Sequence, residues 1–360
     1  MSDPRTRRDI KRDTAKFRRR RLLLVVALVL GVLSIAIFMN RGALRDLIGQ
    51  ASGNDYSGSG QGSITLIIDE GDTGAMVASE LVALDIVKDY TKTLRLIIER
   101  NQVFYPGTFK LRSQMSSDAA LKLIADPSAL LVNKVTIKEG LRIDQVFSEL
   151  SKATGISKAE FAKLKNQPEL FGLDAQEISL EGWLFPATYT FAPQAKAKDI
   201  LGEMVQRMIL ELDNFNVSKD DRHAVLTLAS IVQKEARQAQ DFFKVARTFK
   251  NRLAIKMPLQ SDATVSYGSG GTTVTTTDAE RADPNGFNTY VNLGLPIGPI
   301  SAPGARAIDA ALHPADGDWL FFCTVDLSSG ETVFSATVAE HEVAVSKFRA
   351  WMAANPGWNG

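Results

Sequence analysis

The sequence predicts an α+β protein in three parts: a single N-terminal transmembrane helix, a small α+β unit, and a mixed α/β domain with a helix-borne glutamate. Three features of the chain predict this organisation. An apolar segment follows a cluster of arginines, a strand–turn–helix pattern occurs twice before residue 150, and a later helix carries a glutamate on its apolar face. With 360 residues, 45% of them hydrophobic, the chain can bury one large core or two moderate ones.

The N-terminal segment has the pattern of a membrane anchor. Residues 1–21 hold ten basic side chains against three acidic ones, and residues 22–39 are apolar and uncharged. A helix of that second length rises about 27 Å, close to the thickness of the hydrocarbon core of a membrane. Because basic residues favour the cytoplasmic side, we predict a cytoplasmic basic tail (1–21), a transmembrane helix (22–39) and an exported remainder. A cleaved signal peptide would need a shorter apolar run and a small-residue cleavage site. The predicted location is the cytoplasmic (inner) membrane, crossed once.

The charge and the cysteine count exclude two kinds of protein. The formal net charge is +1, and the +7 of residues 1–21 leaves about −6 on the rest of the chain. A mildly acidic folded part does not favour a nucleic-acid groove, so no nucleic-acid partner is predicted. Cys323 is the single cysteine and lies in an apolar run, which predicts a buried strand residue without an internal disulfide.

The segment after the anchor predicts a linker and then a small unit. Residues 40–63 include the Gly/Ser-rich stretch 51–63 and predict a flexible linker. Residues 64–150 predict one α+β unit, in which a strand, a Glu-Gly turn and a helix occur twice, with Gly71 and Gly140 in the two turns. Glu-Gly turns are common, so coincidence is the alternative to a repeat. Between the copies we expect a helix over 89–99, a short strand near Phe109 and a helix over 117–125.

Residues 151–360 predict a second, larger domain. Helical patterns occur in the first half of this segment, and residues 258–304 are rich in Thr, Gly, Pro and Asn, which predicts loops. The remainder predicts a helix, two strands and a final helix. The predicted elements are helices over 157–165, 196–212, 219–237, 242–255, 305–312 and 338–352, and strands over 319–325 and 332–334.

Glu235 is the strongest catalytic candidate. Leu228, Ile231, Val232 and Glu235 are spaced i, i+3, i+4 and i+7 on a predicted helix, so the carboxylate shares a face with apolar residues. Desolvation on such a face raises the pKa of a carboxyl group, as a general acid near neutral pH requires. The alternative is a structural glutamate paired with Arg237 or Arg252.

Other catalytic chemistries lack their motifs. No phosphate-binding G-x-x-x-x-G-K-[ST] sequence is present, and residues 268–271 lack the spacing of a nucleophile elbow. The three histidines have no metal-ligand spacing, so neither a metal nor an organic cofactor is predicted. By contrast, the loop region offers the amides, hydroxyls and aromatic rings that bind sugars, although ordinary turns use the same residues.

Several short motifs are spaced along the second half of the chain. They are residues 228–236 (Leu-Ala-Ser-Ile-Val-Gln-Lys-Glu-Ala), 251–253 (Asn-Arg-Leu), 259–262 (Leu-Gln-Ser-Asp), 267–268 (Tyr-Gly), 287–290 (Phe-Asn-Thr-Tyr), 294–296 (Gly-Leu-Pro), 302–304 (Ala-Pro-Gly), 313–315 (His-Pro-Ala), 181–183 (Glu-Gly-Trp) and 185–186 (Phe-Pro). These motifs resemble the YceG-like endolytic murein (lytic) transglycosylase family, and the resemblance extends from the anchor to the final helix. Two positions depart from the family pattern, Gln233 for a glutamate and Ala263 for a proline.

The resemblance implies cleavage of peptidoglycan glycan strands between N-acetylmuramic acid and N-acetylglucosamine, with 1,6-anhydro ends as products. It implies Glu235 as the catalytic acid/base in the 151–360 domain, and residues 64–150 as a LysM-like peptidoglycan-binding unit. It also implies action on nascent strands, possible proximity to peptidoglycan synthases, and control of strand length. The residues that it implies for substrate binding are Gln260, Ser261, Asn288 and Tyr290.

Two alternatives to this function stay open from the sequence. A muramidase would use water as the nucleophile and Asp262 as a second carboxylate. A catalytically inactive scaffold would only bind peptidoglycan within the cell-wall synthesis machinery. The products distinguish a muramidase from a lytic transglycosylase, because hydrolysis leaves a reducing end and the lytic reaction leaves an anhydro end.

Overall fold

The structure, a computed structural model, describes residues 55–271 and 276–356. The chain forms two compact units that divide between Leu131 and Val132. The predicted basic tail, the transmembrane helix and most of the predicted linker lie outside the described residues. Within the described ranges, no helix combines the length and apolar character needed to cross a membrane.

The first unit is a two-stranded antiparallel sheet with helices packed on it. Strands β1 and β2 pair along their length, with a register shift between Gln61 and Ile64. Asp89 and Ser116 cap two of the helices through their side chains. The elements are β1 (Ser59–Ile68), α1 (Gly74–Ala83), α2 (Tyr90–Glu99), β2 (Gly107–Met115) and α3 (Ser117–Ile124), followed by a 3₁₀ turn (Pro127–Ala129).

Strand β1 begins earlier than the sequence predicts. The linker was expected to reach residue 63, but residues 59–63 belong to β1, where Ser59 lies opposite Met115. The ladder uses backbone groups, so a Gly/Ser-rich composition does not prevent pairing. Gly60 has a φ of +70°, and a Cβ there would lie 2.4 Å from the carbonyl oxygen of Ser113, which explains the glycine.

The second unit is mostly helical, with two small antiparallel sheets, β3–β4 and β5–β6. Its elements are β3 (Asn133–Thr136), α4 (Ile143–Thr154), α5 (Lys158–Ala162), a 3₁₀ turn (Pro168–Phe171), β4 (Thr188–Phe191), α6 (Ala197–Asn214), α7 (Lys219–Glu235), α8 (Asp241–Ala254), α9 (Asp262–Gly268), α10 (Asp278–Ala282), α11 (Ala305–Leu312), β5 (Phe321–Asp326), β6 (Glu331–Ser335) and α12 (Val338–Ala354).

The division between the units differs from the predicted boundary at residue 150. Val135, Phe147 and Leu150 belong to the core of the second unit. The physical reason is strand pairing, because β3 finds its partner in β4, with Asn133 opposite Phe191. The two Glu-Gly turns at residues 71 and 140 therefore lie in different units, so the strand–turn–helix pattern does not mark one unit.

Helix α7 is the central helix of the second unit. Every residue from Leu226 to Val232 is buried, so this stretch has no solvent face, whereas the sequence predicted one apolar stripe. The loop near residue 300 satisfies the buried polar groups: the Ile300 amide donates to Ser230 Oγ (3.0 Å), and Ser301 Oγ donates to the Ser230 carbonyl (3.2 Å). Helices α8, α9 and α11 pack against α7. This packing fixes the end of α7, where Glu235 lies.

Candidate active site

Glu235 is the last residue of α7 and lines a cavity of about 410 Å³. Ser261, the N-cap residue of α9, donates a hydrogen bond from Oγ to Glu235 Oε1 at 2.5 Å. The predicted catalytic residue and one predicted binding residue are thus in direct contact. The other residues that line the cavity are Phe249, Arg252, Leu259, Gln260, Asp262, Tyr290, Phe321, Phe322 and His341.

The environment of Glu235 favours its protonated form. Burial raises the pKa of Glu235, and the negative charge of Asp262 raises it further. The Ser261 hydroxyl, the Ala263 amide and the charge of Lys234 lower this pKa without cancelling the effect of burial. A carboxyl that keeps its proton closer to neutral pH than an ordinary glutamate can donate that proton to a leaving group.

Arg252, one of the two arginines that the structural alternative paired with Glu235, has a different role. Its guanidinium donates to the carbonyl oxygens of Leu320 (2.6 Å) and Leu259 (2.8 Å), and it lies within 3.4 Å of Gln260 Oε1. Only 8% of Arg252 is exposed. Arg252 therefore links the 258–260 segment to Leu320, the residue before strand β5, and stabilises this wall of the cavity.

The backbone of Gln260 takes a conformation that is rare outside glycine, with φ of +51°. Two long-range contacts hold this turn: the Gln260 amide donates to the Thr289 carbonyl (3.1 Å), and the Ser261 amide donates to Thr289 Oγ1 (3.1 Å). Thr289 Oγ1 also lies 2.8 Å from Thr264 Oγ1. The turn aims the Ser261 hydroxyl at Glu235, and non-glycine residues in such conformations cluster at functional sites.

Asp262 and Tyr290 form a second polar group in the cavity. Asp262 Oδ1 accepts hydrogen bonds from Thr276 Oγ1 (2.6 Å) and Tyr290 OH (2.9 Å), and it lies 3.5 Å from Arg281 Nε. The guanidinium of Arg281 also lies over the Tyr290 ring, 5.5 Å from its centroid. Two hydrogen bonds and one ion pair thus fix the position of Asp262.

Asn288 does not line the cavity. It is 0% exposed, and its side-chain Nδ2 donates to the carbonyl oxygens of Glu280, Arg281 and Asp283 at 3.2, 3.0 and 2.7 Å. Its Oδ1 accepts from the amide of Tyr290 at 2.9 Å. These bonds use the full capacity of the Nδ2 group and fit a structural role better than contact with a sugar. Of the four predicted binding residues, the structure brings Gln260, Ser261 and Tyr290 to the cavity.

The sequence did not indicate that three of the aromatic side chains would line the cavity. Phe321, Phe322 and His341 come from β5 and α12, and the His341 ring stacks on Phe321 with centroids 5.1 Å apart. An aromatic-rich strand predicts only a core position, so nothing local links these residues to Glu235. Among the described residues, no cluster of three or more His, Cys, Asp or Glu side chains has the arrangement of a metal site.

Glu181 is a second unusual carboxyl group in this unit. It is 2% exposed, and its two oxygens accept from the Ile143 amide at 3.1 Å while Tyr267 OH donates to Oε2 at 3.0 Å. Burial raises the pKa of Glu181 to about 7, against the lowering effect of these donors and of Lys165. Gly182 follows with φ of +80°, and a Cβ there would lie 2.4 Å from the side chain of Pro299. Glu181 therefore serves as a buried hydrogen-bond acceptor, and Gly182 allows the backbone to pass close to Pro299.

We expect Ser261→Ala to move the high-pH limb of the activity profile to higher pH. The Ser261 hydroxyl stabilises the carboxylate form of Glu235, so its removal raises the pKa of Glu235 and keeps the acid protonated at higher pH. The measurement is kcat against pH on isolated glycan strands. Ser269→Ala, an exposed serine just after α9, is the matched control and leaves the profile unchanged. An unshifted limb in Ser261→Ala contradicts the assignment.

We expect Glu181→Gln to remove a pH dependence of stability. Because the pKa of Glu181 is about 7 in the folded state and about 4.5 when unfolded, the folded state holds the proton between these values. Stability therefore falls as pH rises from 4.5 to 7, by roughly 3 kcal/mol for this group. Glutamine is uncharged at every pH, so the stability of the Glu181→Gln protein lacks this dependence on pH.

The free energy of unfolding, measured at pH 4.5 and pH 7 in both proteins, tests this expectation. The exposed Glu169→Gln serves as control and keeps the wild-type slope. Equal slopes in Glu181→Gln and the wild type would show that Glu181 ionises normally.

Comparison with known proteins places the chain in a family. The YceG-like family profile matches residues 66–347. The chain is 31% identical over 310 residues to the endolytic murein transglycosylase of Bacillus subtilis (strain 168), covering 79% of this chain and 85% of that protein. It is 27% identical over 276 residues to the endolytic murein transglycosylase of Streptococcus pneumoniae serotype 2 (strain D39), covering 67% of this chain and 50% of that protein. The chain thus spans about half the length of this pneumococcal relative.

A solved structure agrees with these relatives. The crystal structure of a YceG-like protein from Listeria monocytogenes superposes with a TM-score of 0.55 and 29% sequence identity, covering 79% of this chain and 99% of that one. The family match over residues 66–347 extends into both units and includes every residue of the cavity around Glu235. The resemblance that the motifs suggested is confirmed, and the chain belongs to the YceG-like family.

Proposed function

We propose that this protein is an endolytic peptidoglycan lytic transglycosylase. It cleaves the glycan strand between N-acetylmuramic acid and N-acetylglucosamine and leaves a 1,6-anhydro end. The observation that carries the proposal is the Glu235 carboxyl, which lines a cavity, has a raised pKa and accepts a hydrogen bond from Ser261. The named activity of the relatives in the same family supports it.

Glu235 performs both proton transfers of the proposed reaction. It first donates its proton to the glycosidic oxygen as the bond from C1 of N-acetylmuramic acid to that oxygen breaks. The resulting carboxylate then accepts the proton of the C6 hydroxyl of the same sugar, whose oxygen bonds to C1 and closes the anhydro ring. Glu235 is protonated again at the end, so the reaction requires no second carboxylate and consumes no water. Intramolecular attack is favoured because the hydroxyl is already tethered to the reacting carbon.

The proposed reaction does not require Asp262 as a second carboxylate. Its Oδ1 accepts hydrogen bonds from Tyr290 OH and Thr276 Oγ1, with Arg281 nearby, so this oxygen holds neighbouring side chains in place. The negative charge of Asp262 acts on the reaction by raising the pKa of Glu235. The muramidase mechanism remains an outcome that product analysis can reveal.

The cavity offers the groups that a sugar needs. Gln260, Tyr290 and His341 carry polar atoms at its surface, and Phe321 adds an aromatic wall. Amides and hydroxyls bind sugar hydroxyls and N-acetyl groups, while aromatic rings pack against the apolar faces of pyranose rings. We assign Gln260, Ser261 and Tyr290 to substrate binding, and Asn288 to holding the 280–283 turn against Tyr290.

The parts of the chain outside the cavity complete the proposal. For the first unit we infer a LysM-like, peptidoglycan-binding role, supported by its β–α–α–β order and its antiparallel β1–β2 pair. The apolar segment 22–39 is proposed to anchor the chain in the cytoplasmic membrane, with both units outside it. There the enzyme would act on nascent strands close to peptidoglycan synthases and limit strand length.

Mass spectrometry of the products tests the proposal. The full chain is incubated with purified glycan strands, and the new ends are identified by mass. Fragments that end in anhydro-N-acetylmuramic acid support the transglycosylase. Reducing ends identify a muramidase, and strands that are bound but intact identify the scaffold.

A further inference from the structure

A second cavity, of about 490 Å³, borders the helix that carries Glu235 and the helix that follows Ser261. It is lined by Lys234, which precedes Glu235 on α7, and by Tyr267 and Gly268 at the end of α9. Helix α9 begins at Asp262 in the Glu235 cavity and is seven residues long, about 10 Å. One short helix thus connects the two cavities, at a separation that a short side branch of a bound strand can span.

Positive charge predominates in this second cavity. Arg142, Lys165 and Lys234 line it together with the carboxyl groups of Asp144 and Glu181. The formal charge of these groups is +1 with Glu181 ionised and +2 with Glu181 protonated. Burial raises the pKa of Glu181 to about 7, so near neutral pH this carboxyl is only partly ionised. A cavity of this charge attracts an anion of low charge.

Two of the three cations bond only to neutral groups in the described structure. The Arg142 guanidinium donates to the Gly271 carbonyl (2.6 Å) and to Ser266 Oγ (3.1 Å), and Lys234 Nζ donates to the Gly140 carbonyl (3.3 Å). Lys165 Nζ lies 3.5 Å from Asp144. Burial and the positive charge of Arg142 lower the pKa of Lys234, against the opposite effect of Glu235 and Glu181, so Arg142 and Lys234 repel each other. An anion bound between them relieves that repulsion.

We propose that this cavity binds a carboxylate of the peptide stem of the strand that Glu235 cleaves. The inference rests on the proposed function, because it takes peptidoglycan as the ligand. The sugars of the strand are uncharged, and the lactyl carboxyl of N-acetylmuramic acid is consumed in the amide bond to the stem, so the anionic groups of the ligand are stem carboxylates. Arg142 and Lys165 supply the charge-assisted donors. Lys234 also lines this subsite and is adjacent in the chain to Glu235 in the catalytic cavity.

Binding measurements on the full Glu235→Gln chain, which leaves the ligand uncut, test the subsite. The probes are three soluble tetrasaccharides of alternating N-acetylglucosamine and N-acetylmuramic acid: one with free-carboxylate stems, one with amidated stems, and one without stems whose lactyl carboxyls are capped as methylamides. We expect Kd to rise on the order of fivefold on amidation or removal of the stems. Lys165→Gln is expected to raise Kd by a similar factor for the free-carboxylate probe and to leave Kd for the other two unchanged.

The matched control is Lys163→Gln. Lys163 is two residues from Lys165, more exposed, and pairs with Glu160 away from the cavity. It is expected to change none of the three Kd values. Lys165→Arg, which keeps the charge, is expected to retain the preference for free carboxylates. Equal Kd for the free and amidated stems, or a loss in Lys165→Gln that is the same for all three probes, overturns the subsite.

The subsite and the proposed reaction fail separately. If the wild type cleaves strands but Lys165→Gln binds all three probes as its parent does, the proposed reaction stands and the subsite is wrong. If the wild type never cleaves but prefers free carboxylates in a way that depends on Lys165, the subsite stands and the proposed reaction is wrong.

Discussion

Glu235→Gln lowers kcat by a factor on the order of 10³ or more while the protein stays folded and still binds glycan strands. Glutamine has nearly the same shape, and its carbonyl oxygen can still accept the hydrogen bond from Ser261. What it lacks is the proton that the glycosidic oxygen receives and the carboxylate that later accepts one. Because the proposed reaction uses one acid for both transfers, no other residue of the cavity replaces it.

The measurement is the rate of new anhydro ends from purified strands, with the thermal unfolding of both proteins recorded in parallel. Asp220→Asn is the control on the same helix, since it is an exposed acid in the first turn of α7. It is expected to keep the wild-type rate. Substantial activity in a folded Glu235→Gln protein would remove Glu235 from the catalytic role and direct attention to Asp262 or Glu181.

Arg252→Met destabilises the second unit by about 3 kcal/mol, the largest stability effect that we expect from a single side chain near the cavity. Methionine fills much of the same space but donates no hydrogen bond. The carbonyl oxygens of Leu259 and Leu320 then lose their charged donor in a buried position. The loss also frees the 258–260 segment, so the turn at Gln260 no longer aims Ser261 at Glu235.

Thermal unfolding checks this expectation, with a fall in Tm on the order of 10 °C. Arg306→Met is the control, because Arg306 is exposed and makes one 3.4 Å contact with the Ala239 carbonyl. Arg252→Lys is expected to lie between the two, since one ammonium cannot reach all the acceptors of a guanidinium. A Tm for Arg252→Met within about a degree of the wild type would mean that water replaces the lost donors.

The sequence identified the catalytic candidate but not its surroundings. Spacing along a helix was enough to place Glu235 beside buried residues, because that relation is local. The surroundings of Glu181 are not local: its partners Ile143 and Tyr267 lie 38 and 86 residues away in the chain. A Glu-Gly-Trp triplet gives no indication of such partners, so only the fold shows that Glu181 is buried and bonded.

The differences in the fold have the same physical origin. The sequence predicted one apolar stripe on α7, but Leu226–Val232 is buried on all sides because the loop near residue 300 covers the remaining face. The boundary at residue 150 failed because β3 pairs with β4, more than fifty residues further on, instead of with the first unit. Asn288 was expected at the sugar, since an amide in a loop suits either role until its partners are known. In the first two cases a long-range contact decided between interpretations that were locally equivalent, whereas for Asn288 the deciding contacts are with residues five to eight positions earlier.

The place where α7 ends gives Glu235 a further property. The carbonyl groups at the C-terminal end of a helix carry a combined partial negative charge of about half an electron. Glu235 is the last helical residue, and Ala236 leaves the helix in an extended conformation with φ of −76° and ψ of 126°. The carbonyl groups of the last turn therefore oppose ionisation of this carboxyl. An acid placed two turns earlier on the same face would lose that contribution, so the position at which the helix ends is itself a determinant of the acidity of Glu235.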